Sequence, residues 1–185
     1  MEAPAITRYR RPFFAPLWLS LLAALMVVAV LGLAAYRGAG ATLVVLMQPA
    51  EKDPGTIADP PVSAEGEARA QRIAHLFGDA GAAAGLDAIY VSEDRRAQQT
   101  AAPLIERLHR SPVVFKDLDA EAVGARVLHE HSGGAVLVIA GGASIAQILH
   151  ALGAPERSTA ADDGDFVYVV SVPAFGRARL VRLRL

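Results

Sequence analysis

The sequence has no cysteine and almost no net charge, and both absences narrow its chemistry. Without cysteine the chain cannot form a disulfide, use a thiolate nucleophile or build a zinc or iron–sulfur site on sulfur ligands. Its 18 Lys and Arg nearly balance its 19 Asp and Glu and no basic arm is present, so no nucleic-acid partner is predicted. The 53% of apolar residues suffice for the core of one domain.

Residues 13–36 form a long apolar run without a charged side chain. A helix of this length, at about 1.5 Å per residue, crosses a hydrocarbon layer of about 30 Å. Cleavable signal peptides have a shorter apolar region of roughly 7 to 15 residues, so a signal-anchor helix is favoured. The small residues Ala39, Gly40 and Ala41 leave cleavage open as an alternative.

The charges that flank the apolar run predict its orientation in the membrane. Arg8, Arg10 and Arg11 precede the run, whereas Arg37 alone follows it closely. Because positive charges favour the cytoplasmic side, we expect a cytoplasmic N-terminus and an extracytoplasmic domain. The chain is thus predicted to comprise a cytoplasmic tail (1–12), a transmembrane helix (13–36), a linker (37–41) and one domain (42–185).

The predicted domain alternates between short apolar runs and amphipathic helical patterns. The apolar runs lie at 42–47, 86–92, 113–115 and 135–140, and a helical pattern follows each of them. Ser63 is placed to cap the first of these helices. Four strand-then-helix units in series predict a mainly parallel sheet covered by helices on both faces, which is a three-layer α/β sandwich.

The C-terminal part departs from this alternation. Residues 166–172 and 177–185 are two strand patterns separated by a Pro- and Gly-containing turn, and they predict an antiparallel hairpin that closes one side of the sheet. Arg182 and Arg184 alternate with apolar residues, which favours the solvated face of a protected edge strand. Contact with lipid headgroups is the alternative.

Ligands of an open parallel sheet bind beyond the carboxyl ends of its strands. The loops that follow Met47, Val91 and Ala140 are therefore the informative ones. They read QPAEK, SEDRRAQQTA and GGAS. The candidate site is predicted where these three loops meet.

These segments resemble the histidine phosphatase superfamily, which has the phosphoglycerate-mutase-like fold. VVLMQPAEKD occupies the place of that family's strand followed by Arg-His-Ala-Glu, and DPPVSAEGEARA resembles the start of its first helix. IYVSEDRRAQQTAAPL resembles its Ser-x-x-x-Arg-Ala-x-x-Thr-Ala segment. VLVIAGGAS stands where a strand leads into Gly-His, and VPAFGRARLVRLRL resembles the closing hairpin. The resemblance extends over nearly all of residues 42–185.

The resemblance implies a histidine nucleophile, two arginines and a second histidine around the phosphate, and this chain lacks most of them. Gln48 stands at the motif arginine, Pro49 at the nucleophile and Gly141 at the second histidine, so that only Arg96 remains. A proline ring nitrogen has neither a proton nor a usable lone pair, and glutamine lacks the fixed charge of arginine. A domain without catalytic residues is therefore predicted.

Other residues offer no clear replacement for the missing groups. Neither a metal site nor a cofactor is predicted, because the His-Glu-His segment lacks the spacing of a helical zinc pair. Ser144 follows a strand but is expected to cap the next helix. The five histidines are assigned to helices or to the wrong end of the sheet: His75, His109, His129, His131 and His150.

Binding without reaction remains open to these loops. Backbone N–H groups of Gly141 and Gly142 at a helix N-terminus, with Arg96 and Gln48, are predicted to bind a phosphate-containing or other anionic ligand. The alternative for Arg96 is an ion pair with a carboxylate of the same region, where Glu51, Glu93 and Asp94 are the candidates.

Three functions thus remain on sequence alone. The favoured one is a membrane-anchored, catalytically inactive histidine-phosphatase-like domain that binds a phosphorylated small molecule or a protein partner. The second is an active phosphohydrolase, either phosphatase or mutase-like, with an atypical nucleophile. The third is a structural or interaction domain without a ligand.

Overall fold

The computed structural model of the chain describes residues 25–30, 32, 40–55, 59–78, 85–154, 166–174 and 176–184. The chain divides into two compact units, Met1–Arg37 and Gly38–Leu185. In the first unit residues 25–30 are helical with exposed side chains. Among the described helices, none combines the length and the apolar character that crossing a bilayer requires. Most of the transmembrane helix predicted at 13–36 lies outside the described residues.

Strands and helices alternate along the second unit. The strands are β1 (Thr42–Met47), β2 (Ala88–Ser92), β3 (Val113–Phe115), β4 (Ala135–Ile139), β5 (Phe166–Val172) and β6 (Arg179–Arg184). The helices are α1 (Ala64–Gly78), α2 (Arg95–Leu108), α3 (Ala120–Glu130) and α4 (Gly142–Ala151), and a 3₁₀ turn at Asp117–Asp119 precedes α3.

All six strands belong to one sheet, in the order β3-β2-β4-β1-β5-β6. The first four strands run parallel, whereas β5 is antiparallel to β1 and β6 is antiparallel to β5. This confirms the predicted mainly parallel sheet and its closing hairpin. The second strand begins two residues later than predicted, at Ala88. Just before it, Asp87 is joined to Ala135 twice: its backbone N–H donates to the carbonyl of Ala135, and its carboxylate accepts the N–H of Ala135, both at 2.7 Å.

Helices cover both faces of the sheet, as the three-layer prediction requires. One apolar cluster joins the sheet to α3 and α4, and its largest buried side chains include Tyr90 and Tyr168. A second cluster joins the opposite face to α1 and α2 around Ile73 and Leu104. Burial of each such side chain contributes roughly 1.5–3 kcal/mol, so these two clusters supply most of the driving force for folding.

Two local features fix the helices on the sheet. Ser63 caps α1 as predicted, because its hydroxyl accepts the backbone N–H of Gly66 at 3.1 Å. The helices α3 and α4 approach closely at Gly124, where an added Cβ would lie 2.6 Å from the Cβ of Ala151. A Cβ has no rotatable bond of its own and moves only with the backbone. A side chain at position 124 would therefore force the two helices apart.

The close approach predicts a non-additive pair of substitutions. Overpacking by Gly124→Ala costs about 1–3 kcal/mol, which outweighs the roughly 1 kcal/mol of helix propensity that alanine adds. Ala151→Gly removes the opposing methyl group, so the double variant should be more stable than the sum of the two single effects by at least about 0.5 kcal/mol. Urea unfolding of the four proteins measures this coupling. Strictly additive changes would show that the two helices are not in contact at this position.

Candidate functional site

The loop after β1 is fixed to α2 by a buried hydroxyl. The backbone N–H of Ala50 donates to Oγ1 of Thr100 at 2.9 Å, and this hydroxyl in turn donates to the backbone carbonyl of Arg96 at 2.8 Å. Thr100 has no exposed surface. The loop therefore lies within one helical turn of Arg96, at the carboxyl end of the sheet.

The same loop packs against the first turns of α1. The backbone N–H of Ser63 donates to the carbonyl of Glu51 at 2.8 Å. A Cβ on Gly66 would lie only 2.5 Å from that carbonyl, so this close approach requires glycine. Nη1 of the buried Arg69 lies 3.1 Å from Oε1 of Glu51, while Oε2 of Glu51 is buried without a hydrogen-bond partner among the described residues. Glu51 is thus paired with Arg69 rather than with Arg96.

Strand pairing brings the loop after β1 next to the loop after β4. The backbone N–H of Ala140 donates to the carbonyl of Met47 at 3.2 Å, directly before both loops begin. Nε2 of Gln48 is buried and has no hydrogen-bond partner among the described residues. A Cβ on Gly142 would lie 3.3 Å from this nitrogen, which shows that the amide lies against the N-terminus of α4.

Pro49 and Gly141 occupy contrasting environments at this edge. Pro49 is buried, directly after the strand end. Gly141 has an extended backbone (φ -62, ψ 157) before the first residue of α4. A Cβ added at Gly141 would meet no atom of the described residues within 4 Å, so open space lies beside it in this part of the structure. The structure therefore leaves room for a larger side chain at Gly141.

Arg96 lines a pocket of about 510 Å³ that lies between the residues before α1 and the turn that joins β2 to α2. The pocket is also lined by Pro60 and three carboxylate residues: Asp59, Glu93 and Asp94. Asp94 accepts the hydroxyl of Ser92 at 3.0 Å, and Asp59 accepts the backbone N–H of Arg95 at 3.0 Å. Within the described parts of the chain, the guanidinium of Arg96 forms no ion pair with these carboxylates.

The histidines lie away from these loops where their contacts are described. His131 follows α3 and is bonded through its carbonyl to Gly134, just before β4, at the amino-terminal end of the sheet. Its Nε2 is 3.2 Å from the hydroxyl of Tyr90. Burial, followed by the charge of Glu130, raises the pKa of Tyr90. This placement of His131 at the wrong end agrees with the sequence prediction.

Ser144 does not cap α4, and this prediction was wrong. The helix begins at Gly142, so Ser144 is its third residue. Its hydroxyl is buried and donates to Oδ1 of Asp117 at 2.7 Å, which ties α4 to the 3₁₀ turn after β3. The sequence interpretation missed this bond because the partner lies 27 positions away.

Sequence analysis also passed over the two residues that position the loop, Thr100 and Arg69. Thr100 belonged to the quoted Ser-x-x-x-Arg-Ala-x-x-Thr-Ala segment, so its signal was available. Arg69 also lay in a quoted segment, DPPVSAEGEARA, but no role was assigned to it because an arginine in a helix is usually solvated.

The sequence profile described as "Histidine phosphatase superfamily (branch 1)" matches residues 48–125. This range contains the loop after β1, both helices of one face and the pocket of Arg96. A search of curated proteins found no sequence match.

Solved structures with the same fold include several phosphatases. The protein histidine phosphatase SixA complexed with tungstate is 19% identical, with a TM-score of 0.62 over 77% of this chain and 96% of that one. The mycobacterial glucosyl-3-phosphoglycerate phosphatase is 18% identical, with a TM-score of 0.57 over 76% and 97%.

A phosphoserine phosphatase mutant from Entamoeba histolytica is 11% identical, with a TM-score of 0.56 over 76% of this chain and 95% of that one. At such identities these similarities establish the fold alone. The profile match over the loop and the pocket agrees with this fold, so the chain is similar to the histidine phosphatase superfamily in both sequence and structure.

Proposed function

We propose that this protein is a membrane-anchored, catalytically inactive histidine-phosphatase-like domain that binds a phosphate-containing or similar anionic ligand without hydrolysing it. The observation that carries the proposal is Pro49, buried at the end of β1. The family resemblance assigns this position to the nucleophilic histidine. Proline can neither accept a phosphoryl group nor transfer a proton, and loss of a covalent nucleophile costs roughly 10⁶ in rate in a well-studied hydrolase.

The second catalytic position is also without a reactive group. Gly141 has no side chain, and no atom of the described residues lies within 4 Å of the position where a Cβ would be. Gln48 supplies a neutral amide where the resemblance implies an arginine, so the fixed charge and the bidentate hydrogen bonding are lost. Of the four expected groups, Arg96 alone is retained.

Anion binding is supported by donors that lack acceptors. A buried donor without a partner costs about 1–3 kcal/mol, and an acceptor supplied by a ligand would remove that cost for Nε2 of Gln48. The N-terminus of α4, against which this amide lies, favours negative charge through its free N–H groups and its dipole. The similar solved structures include one complex with tungstate and one with inorganic phosphate, and both of these ligands are oxyanions.

An atypical nucleophile finds little support among the described residues. Ser144 has a hydroxyl in the first turn of α4, but this hydroxyl is buried and donates a hydrogen bond to Asp117. A nucleophile must reach the substrate and transfer its proton to a base within hydrogen-bond reach. Because Ser144 is buried, it cannot reach a substrate. The alternative of an active phosphohydrolase therefore gains no support from this hydroxyl.

Phosphate should stabilise the folded protein in proportion to binding, with a gain of about 2.7 kcal/mol at 100 times the dissociation constant. Thermal unfolding of the full chain in detergent, with phosphate against chloride at equal ionic strength, measures this gain. Arg96→Ala should abolish the gain, whereas Arg72→Ala, an exposed arginine on α1, should retain it. No phosphate release from an aryl phosphate is expected.

A second variant tests the contribution of the neutral donor at Gln48 to phosphate binding. Gln48→Met removes the buried unpartnered donor, so the ligand-free protein should be as stable as the wild type or more stable, while its response to phosphate weakens. If phosphate stabilises the Arg96→Ala protein as much as the wild type, or does not stabilise the wild type, the protein is better described as a structural domain without this ligand. Phosphate release that requires Arg96 would establish an active enzyme.

Restoring the missing groups should restore chemistry if the frame of the site is intact. The triple change Gln48→Arg, Pro49→His, Gly141→His places one new side chain in the open space beside Gly141. We expect measurable hydrolysis of an aryl phosphate, formation of a phosphohistidine during turnover, and loss of both when Arg96→Ala is added. A folded triple variant that remains inactive would show that the positions of these residues do not form a phosphate site.

The absence of cysteine allows a direct test of membrane topology. Gly85→Cys introduces one thiol at an exposed position in open space, and Thr7→Cys introduces one before the apolar run. A membrane-impermeant maleimide should label Gly85→Cys in intact cells, and Thr7→Cys only after permeabilisation. The opposite labelling pattern would reverse the orientation, and recovery of the protein in a high-pH wash would contradict anchoring.

A further inference from the structure

Among the described residues, the two ends of the sheet differ in charge. The connections that follow the parallel strands are rich in carboxylates, with Glu93 and Asp94 after β2 and Asp117 and Asp119 after β3. The connections that precede these strands, together with the β5–β6 turn, form what we call the amino end: residues 40–41, 85–87, 109–112, 131–134 and 176–178. Four exposed arginines lie in the amino end or close beside it: Arg110, Arg126, Arg177 and Arg179.

The arginines of the amino end are not neutralised by the described carboxylates. Three carboxylates lie at this end: Asp87, Glu106 and Glu130. The carboxylate of Asp87 is occupied by the backbone N–H of Ala135. Arg110 donates to the backbone carbonyl of Asp87 at 2.8 Å rather than to its carboxylate. Within the described parts of the chain the other three arginines form no ion pair, so their charge faces solvent.

The chain enters the domain through the middle of this end. A Cβ on Gly40 would lie 3.3 Å from the Cα of Gly133, and the hydroxyl of Thr42 accepts the backbone N–H of Gly133 at 3.0 Å. The strand order places Arg177 and Arg179 on one side of this point and the other two arginines on the opposite side. Strands about 4.8 Å apart make the end of this sheet roughly 25 Å wide, so no single small anion contacts all four arginines.

Leu43 adds an apolar side chain to this surface. Strand register aligns Leu43 with Ser171, and Ser171 with Arg179, so the three residues form one row on the same face of the sheet. Leu43 is 37% exposed although it belongs to a central strand. Surfaces that bind the interface of a bilayer combine apolar side chains with arginine or lysine in this way.

We propose that the amino end docks on an anionic lipid surface, whose phosphate groups pair with its arginines. This rests on the proposed membrane anchor, because the linker at 37–41 spans at most about 18 Å and keeps the amino end close to the headgroups. The candidate phosphate site lies at the opposite, carboxyl end of the sheet. It is therefore directed to the aqueous phase, and its ligand is a water-soluble anion rather than a lipid headgroup.

Other occupants of this surface fit less well. A second copy of the chain, related by a two-fold axis, would place the same arginines against each other. An acidic protein would have to enter the space between the domain and the bilayer, which the linker limits to about 18 Å. A compact domain of about 100 residues has a radius of gyration of about 13 Å and is therefore too thick for this space.

Hydrogen exchange of the full chain in lipid nanodiscs tests this docking. Backbone exchange at residues 131–134 and 176–178 should be slower with phosphatidylglycerol present than with phosphatidylcholine alone, while residues 117–121 should exchange equally in both. The difference should disappear in about 1 M salt, where the Debye length is about 3 Å. Equal exchange in the two lipids would overturn the proposal. Protection that requires two chains in one nanodisc, whatever the lipid, would identify a second copy as the occupant instead.

Charge reversal identifies the surface that docks. Arg177→Glu combined with Arg179→Glu should weaken docking at least about twentyfold, because each charge near an anionic surface contributes about fivefold. Arg72→Glu combined with Lys116→Glu makes the same change in net charge at exposed side chains outside the amino end, so it should keep the slow exchange. Thermal unfolding verifies that both proteins are folded. An equal loss in both would contradict docking through the amino end.

Two other measurements separate docking from the function on which it rests. A high-pH wash reports anchoring whatever the lipid charge, and the phosphate titration reports the candidate site. A chain that survives the wash without lipid-dependent exchange is anchored but does not dock. If the wash removes the chain, flotation at low salt measures docking in its place. Flotation with phosphatidylglycerol vesicles that the Arg177→Glu, Arg179→Glu protein lacks would support docking, and no flotation would overturn it.

Discussion

The hydrogen bonds of Thr100 position the candidate site. This hydroxyl has no exposed surface, accepts the N–H of Ala50 and donates to the carbonyl of Arg96. It therefore joins the loop after β1 to the turn of α2 that bears the retained arginine. Without an acceptor, the buried N–H of Ala50 would cost about 1–3 kcal/mol, which is a large part of the stability of a small domain. The position of Pro49 follows from this contact.

The backbone frame at the carboxyl end of the sheet and the reactive side chains that the family resemblance implies are separate properties of a fold. Parallel pairing of β1 with β4 brings Gln48 against the N-terminus of α4, whatever side chains the two loops have. The backbone thus preserves the N–H groups that attract an anion, because they belong to the fold. The imidazoles that the family resemblance implies depend on side chains alone, so substitution at two positions removes them and leaves the sheet intact.

The sequence predicted the fold well because its signals are local. A continuous apolar run located β1, and a strand pattern before a Pro- and Gly-containing turn located β5, both at their observed bounds. Ser63 is close enough to Gly66 in the chain to be recognised as a cap. Contacts between distant segments were not predictable in this way. The bonds of Ser144 to Asp117 and of Arg69 to Glu51 depend on how α4 and α1 sit on the sheet, and no spacing along the chain encodes that.

Charge around Arg96 limits what the pocket can bind. Three carboxylate residues line the same cavity as this single arginine, so a free multivalent anion there would meet repulsion as well as attraction. The neutral donors at Gln48 and the N-terminus of α4 carry no such opposition, because they stabilise an anion through oriented dipoles rather than net charge. None of the residues that line the pocket of Arg96 belongs to α4 or to the loop after β4, so these neutral donors lie outside that pocket. Within the described parts of the chain no carboxylate forms an ion pair with Arg96, so the charge of this guanidinium is not neutralised by the described residues that line the pocket.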